Sequence, residues 1–370
     1  MKKANNTQAA LLGLQHLLAM YSGAVAVPLL IGTALGFNTE QMTYLVSIDI
    51  FMCGLATLLQ LMRNRYFGIG LPVVLGCAIQ AVEPLKMIGS QFTIQTMYGA
   101  IIVAGIFVCL VSGQFSKVKR LFPPVVTGTL ITVIGLTLIP IAVQNIGGGN
   151  ASAKDFGSLT NITLGFVTVI LILAIQVFAK GFLSSIAVLL GLVSGSLVAA
   201  ALGLVSLAPL HEAPWFHVPQ PFYFGVPHFE WSSSVTMIII ALVSMVESTG
   251  VYFALGDILN KKITEKDLKL GYRAEGMAVI LGGIFNTFPY TTFSQNVGLL
   301  ELSGIKTKRP IYWSAGLLML LGLLPKAGAL ATMIPTPVLG GAMLVMFAMI
   351  SVQGIRILAS VDFTDQRNIL

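Results

Sequence analysis

Apolar runs of about twenty residues, the length that carries a helix across a bilayer, recur along the whole of this 370-residue chain. They fall at roughly 10–36, 41–62, 70–88, 96–115, 123–144, 162–180, 183–208, 233–259, 268–286, 290–304, 310–331 and 335–358. Charged residues make up only 9% of the sequence and apolar ones 56%, against about 25% and 45–50% in soluble domains. That balance excludes an ordinary soluble enzyme, a disordered chain and a nucleic-acid binder built on a basic face. The net charge of +7 then reads as basic loops gathered on the cytoplasmic side of a membrane.

Alternating the twelve runs across a bilayer puts all but Lys86, Lys154 and Lys326 of the 21 Lys and Arg residues on one side. This predicts a cytoplasmic N-terminus. The first run is too long for a cleavable signal. The longest loop on the other side, 209–232, carries His211, Trp215, His217, His228 and Trp231. An external cap at the interface is favoured for it over a metal site. Cys53 and Cys109 read as small apolar fillers, and no disulfide framework is implied.

Two pairs of segments resemble each other at near-equal offsets. Pro123-Pro124-Val125-Val126-Thr127-Gly128-Thr129-Leu130 resembles Pro335-Thr336-Pro337-Val338-Leu339-Gly340-Gly341-Ala342, and Pro124 matches Pro337 at an offset of 213. Leu71-Pro72-Val73 matches Phe288-Pro289-Tyr290 at 217. An offset that contains seven spans makes two halves of opposite topology, the inverted repeat of a transporter. A second half of equal length would end near 420–430, beyond Leu370, which predicts fourteen spans with two missing from this chain.

The segments around Pro72 and Pro289 are short and broken, and each is expected to be an extended strand leading into a half-helix, starting near Ala78 and Ser294. Non-helical backbone at membrane depth is tolerated inside protein or along a cavity, and matched breaks point to a substrate site. Ordinary kinked helices are the plainer alternative.

Glu247 lies mid-run and should be strongly desolvated, so that a proton held there can be exchanged against a substrate; a static pair with a neighbouring helix is the competing reading. Glu275 follows Arg273 at the start of the ninth run, as a second proton-handling group or a solvated helix start. Asp49 suits a structural hydrogen-bonding role. Gln295 and Asn296 open the second half-helix with amides that suit a planar heterocycle, or cap that helix. His16 in the first run is a structural group or a proton relay. No phosphate-binding loop, HExxH or CxxC is present. An intramembrane enzyme using Glu247 and Glu275 would lack a nucleophile or metal constellation.

Together, Gln15-His16, Gly70-Leu-Pro72 with Gly76, Glu247-Ser-Thr-Gly250, Glu275-Gly276 and Phe293-Ser-Gln295-Asn296-Val-Gly298 resemble the nucleobase–ascorbate transporter family, also called nucleobase:cation symporter family 2, over the whole chain. The resemblance implies an all-α polytopic membrane protein with an inverted seven-plus-seven repeat and short extended strands in spans three and ten, twelve of its fourteen spans being present here. It implies a core domain from 1–122 and 233–334, a gate domain from 123–208 and 335–370, and an external loop at 209–232. It implies proton-coupled import of a purine nucleobase, xanthine first, with urate, uracil or an inorganic anion as alternatives. Glu247 and Gln295 would bond the base and Asn296 would shape the site. Backbone groups of Cys77, Ala78, Ile79, Phe293 and Ser294 would complete it, with Glu247, Glu275 and His16 in proton coupling. The coupling ion is a proton and no cofactor is expected; the partners are the base, the bilayer and a possible second copy through the gate domain. Two departures stand out. Ile79 replaces an aromatic residue found in many members, and Val251 stands where some carry His or Asp.

Overall fold

The computed structural model describes residues 5–116, 124–303, 306–359 and 361–362. Lys2, Lys3, Lys117, Lys119, Arg120, Pro123 and Arg367, used above for orientation and repeat, lie outside the described residues. In chain order the elements are α1 (Asn6–Ala34), α2 (Thr39–Leu61), β1 (Leu75–Cys77), α3 (Val82–Gln91), α4 (Ile94–Phe115), α5 (Pro124–Ile146), α6 (Leu159–Phe178), α7 (Phe182–Ser185) and α8 (Ala187–Ala201). There follow α9 (Ala208–Glu212), α10 (Trp231–Ile258), α11 (Glu265–Ile284), β2 (Tyr290–Thr292), α12 (Gln295–Ser303), α13 (Arg309–Gly322), α14 (Pro325–Thr332) and α15 (Thr336–Leu358).

Six described helices, α1, α2, α4, α6, α10 and α15, are long and apolar enough to cross a membrane. The run at 310–331, expected as one span, holds two helices, α13 and α14, bent by 82° at a short break. Pro325 is the reason. It disfavours helical backbone in the residue before it, and Leu324 is extended (φ −109°, ψ 91°). The ring then opens α14, where its missing N–H costs nothing.

The chain divides into two compact units, Met1–Lys117 with Leu207–Met333, and Val118–Ser206 with Ile334–Leu370. In the first, β1 and β2 pair antiparallel in the register Leu75↔Thr292, Gly76↔Thr291 and Cys77↔Tyr290. Backbone bonds from Ala78 N to Pro289 O (2.8 Å) and from Phe293 N to Val74 O (3.0 Å) extend the ladder at both ends. Helix resumes at once beyond each strand. A 3₁₀ turn at Ile79–Ala81 runs into α3, and α12 starts at Gln295. The two broken segments expected from Pro72 and Pro289 are therefore one two-stranded ribbon.

In the second unit α5 packs antiparallel on α15, the helix that matches it in the repeat. A Cβ on Gly354 would stand 2.3 Å from Thr132 Oγ1, and one on Gly340 would stand 2.4 Å from Ile146 N. Bare glycine lets the two backbones approach, as in other membrane helix pairs. In each unit, then, an element lies antiparallel to its own repeat mate, the relation that an inverted repeat requires.

The segment 209–232 is held against the first unit by its aromatics. Tyr223 stacks on Tyr44 (centroids 3.8 Å apart), the His217 ring meets Tyr44 edge-on, and Phe224 stacks on Phe37. Its histidines do not gather. Among the described residues, the one His, Cys, Asp and Glu group compact enough to hold a metal ion is Asp49, Cys53 and Cys77.

Candidate functional site

A two-stranded ribbon has two bare edges, and each unpaired amide at membrane depth costs several kcal/mol, about what an orphaned polar group costs in hydrocarbon. Helix hydroxyls satisfy these edges. Leu75 N donates to Thr57 Oγ1 of α2 (3.0 Å), and Thr57 in turn donates to Cys53 O (2.7 Å). On the other edge, Thr292 N donates to Ser248 Oγ of α10 (3.5 Å), which also accepts from Thr292 Oγ1 (3.1 Å) and pairs with Thr291 Oγ1 (3.2 Å). Phe293, just past β2, inserts its ring between the ribbon and α1. A Cβ on Gly76 would lie 2.3 Å from Phe293 Cε2, and one on Gly23 would lie 2.7 Å from Cε1.

Glu247 precedes Ser248 on α10 and is half-buried beside the first break. Gln80 Nε2, in the 3₁₀ turn, donates to Glu247 Oε2 (3.0 Å) and to Ser244 Oγ (2.8 Å). The turn has no side-chain cap, so its first N–H groups are free to face a ligand. Ile79 and Ser294 are half-buried and Gln295 is exposed on the first turn of α12, while Cys77, Ala78 and Phe293 are buried. Asn296 is buried and turned away from Gln295. Its Nδ2 donates to the His16 carbonyl (3.0 Å) and to His16 Nδ1 (3.1 Å). That bond makes Nδ1 an acceptor, so the neutral ring carries its proton on Nε2. Asn296 thus ties α12 to α1 and does not cap its own helix.

Glu275 needs a correction. Arg273 suggested a helix start there, but α11 begins at Glu265 and Glu275 sits in its middle, 3% exposed. The overlooked signal is the capping box Thr264-Glu265-Lys266-Asp267, in which Thr264 and Asp267 bond each other's backbone. Glu275 Oε1 accepts from the Tyr252 hydroxyl. Tyr252 accepts from Gln60 Nε2 (2.6 Å), which also donates to Gly271 O (2.9 Å), and Gln60 Oε1 accepts from Ile69 N (3.2 Å). Gln60 therefore joins α11 to the chain entering the first break. A narrow cleft reaches the same region, lined by Met237, Ser244, Glu275, Val279, Pro289 and Tyr290.

Cys53 also needs correcting from apolar filler. It lies with Cys77 against Asp49, a carboxylate fully buried on α2. At the helix ends, Arg63 Nη1 pairs with Asp267 (2.6 Å) and Lys261 stands 3.9 Å away. Burial alone would push the Asp267 carboxyl up. The Thr264 bonds and the Lys261 and Arg63 charges overcome this and hold it below the usual carboxylate range.

Comparison with known proteins agrees with this architecture. The sequence profile described as "Permease family" matches residues 7–370. The chain is 56% identical to the uric acid permease PucK of Bacillus subtilis over all of this chain and 86% of that protein. It is 54% identical to the xanthine permease of the same organism, over 97% of this chain and 82% of that one. The xanthine permease XanP of Escherichia coli K12 is 30% identical over 93% and 78%. Among solved structures, the transmembrane domain of the cyanobacterial bicarbonate transporter BicA superposes with a TM-score of 0.68 at 16% identity, covering 96% of this chain and 94% of that one. The murine anion transporter Slc26a9 gives 0.67 at 11% identity, covering 98% and 63%. At such identities the likeness is one of fold, the seven-plus-seven inverted repeat.

Proposed function

The chain belongs to the nucleobase–ascorbate transporter family, and from that premise we propose that it imports a purine nucleobase, xanthine first, by proton-coupled symport. It is a multi-pass membrane permease for nucleobases and not an enzyme. Cytoplasmic placement of the N-terminus follows in this reading from the basic loops. The first compact unit serves as the core domain and the second as the gate domain, with a second copy docking through the gate.

One observation carries the reading. Gln80 of the first break bonds Glu247, while the adjacent Ser248 bonds Thr291 and Thr292 of the second break. One turn of α10 thus brings a carboxylate to the meeting point of both interruptions. A carboxylate at membrane depth costs about 2.5–3.5 kcal/mol on insertion scales, which favours its holding a proton. Protonated Glu247 donates to the base as well as accepting from it. Gln295 meets the other edge, and backbone groups at Cys77, Ala78, Ile79, Phe293 and Ser294 surround the ring. Asn296, fixed by His16, shapes the pocket. Glu275, with Tyr252, supports Glu247 or passes the proton. The proton is the coupling ion and no cofactor takes part.

Urate is the second reading, favoured by the 56% identity to a uric acid permease. Uptake of labelled xanthine, competed by urate, uracil, guanine and hypoxanthine with and without a protonophore, separates them. Strong competition by urate alone shifts the assignment to urate, and indifference to the protonophore removes proton coupling. Glu247→Gln is expected to abolish uptake and Gln295→Glu to redirect it. Wild-type uptake in both refutes the site.

A further inference from the structure

The side chains of Asp49, Cys53 and Cys77 have no part in the site above, to which Cys77 contributes backbone alone. Asp49 and Cys53 are 0% exposed and Cys77 is 1% exposed. Cys77 Sγ donates to Asp49 Oδ2 at 2.8 Å, and Cys53 Sγ stands 3.9 Å from the same oxygen. The Tyr290 hydroxyl donates to Asp49 Oδ1 at 3.0 Å. Asp49 is paired with no Lys or Arg among the described residues. A buried carboxylate without a cation is costly unless an ion or good hydrogen bonds accompany it.

The geometry comes close to that of a tetrahedral ion. One donor atom from each residue lies within 4.8 Å of the others. With metal–sulfur bonds of about 2.3 Å and metal–oxygen bonds of about 2.0–2.2 Å, a tetrahedral sulfur–oxygen pair sits about 3.6 Å apart. The Cys53–Asp49 separation comes within about 0.3 Å of this, and the Cys77–Asp49 contact needs to open by about 0.8 Å by the same geometry. Two sulfurs and one carboxylate oxygen select a thiophilic d¹⁰ cation over magnesium or calcium. Tyr290, opposite Cys77 in the ribbon, adjoins the donor set through Asp49 and also lines the narrow cleft.

We propose that Asp49, Cys53 and Cys77 form a binding site for a zinc-group divalent cation that clamps β1 to α2. On binding, both thiols lose their protons to solvent, the two sulfurs and Asp49 form bonds to the ion, and the Cys77–Asp49 hydrogen bond breaks. The occupied site carries one net negative charge, faced by the Tyr290 hydroxyl. Because Cys77 adjoins Ala78, the clamp fixes the backbone that leads into the first half-helix. Uptake then falls when the ion is bound, and binding weakens as pH falls, since protons compete for the thiolates.

The test uses the full chain, purified and also reconstituted in vesicles, with Cd²⁺ and Zn²⁺ as probes. One equivalent of Cd²⁺ is expected to bind and to inhibit uptake, with recovery on chelation. Cys53→Ala should transport normally without metal, lose at least tenfold in Cd²⁺ affinity, and escape inhibition. Zinc-edge X-ray absorption on the wild-type protein needs no variant. Two sulfur neighbours near 2.3 Å support the site, whereas a shell of nitrogen and oxygen overturns it. So does Cd²⁺ binding that Cys53→Ala leaves unchanged, or an absence of binding.

Discussion

Gly76→Ala tests how tightly the ribbon is built. The new methyl would lie 2.3, 2.7 and 3.0 Å from Cε2, Cδ2 and Cζ of Phe293. The ring must move by about 1 Å to reach ordinary contact. The room for retreat is the space that bare Gly23 leaves, since a Cβ there would stand 2.7–2.8 Å from the opposite ring edge. The conflict reaches the β1–β2 ladder. Overpacking of this kind costs about 1–3 kcal/mol. Phe293→Leu alone should cost about 1–2 kcal/mol of lost burial. In the double variant the smaller side chain vacates the space the methyl needs, so the two effects should not add; a favourable coupling of about 1–2 kcal/mol is expected. Thermal unfolding of the purified protein in detergent measures all four corners, and nucleobase uptake should fall with Gly76→Ala and partly return in the double variant. Additive effects, or a Gly76→Ala protein as stable and active as wild type, would refute the wedge.

Two further outcomes follow from the same structure. Gln60→Leu strands the Ile69 amide and removes a donor from Tyr252; the stranded amide costs about 1–3 kcal/mol, so a drop in unfolding temperature is expected, and an unchanged one would show the network to be dispensable. Asp267, held below the usual carboxylate range, contributes stability that is present above the ordinary carboxylate value and is lost as pH falls through its lowered native value; unfolding measured against pH should show this acid-side loss in wild type and not in Asp267→Asn.

The sequence announces its breaks and its repeat because proline and glycine act locally. Pro72 and Pro289 interrupt apolar runs, and their offset already aligns two segments that turn out to be paired strands. What it hides is contact across long separations. Gln80 follows Ile79 in an apolar stretch with no pattern to mark it, and its bond to Glu247 spans 167 residues. Nothing near Asp49 points to Tyr290, 241 positions away. For Glu275 the reason is local: Arg273 marks an apparent helix start beside it, whereas the capping box that opens α11 lies eleven residues upstream. Likewise Pro325 was visible, yet an unbroken apolar count across it suggested one span where the backbone turns by 82°.

The hydroxyls of Thr57 and Ser248 stand where a third and a fourth strand would lie in a larger sheet. A helix that supplies a neighbouring strand's missing partner cannot slide past that strand without stranding an amide in hydrocarbon. Side-chain chemistry thereby solders α2, the ribbon and α10 into one rigid body. Whatever displacement accompanies transport must leave these three in register, and its compliance has to come from backbone outside them.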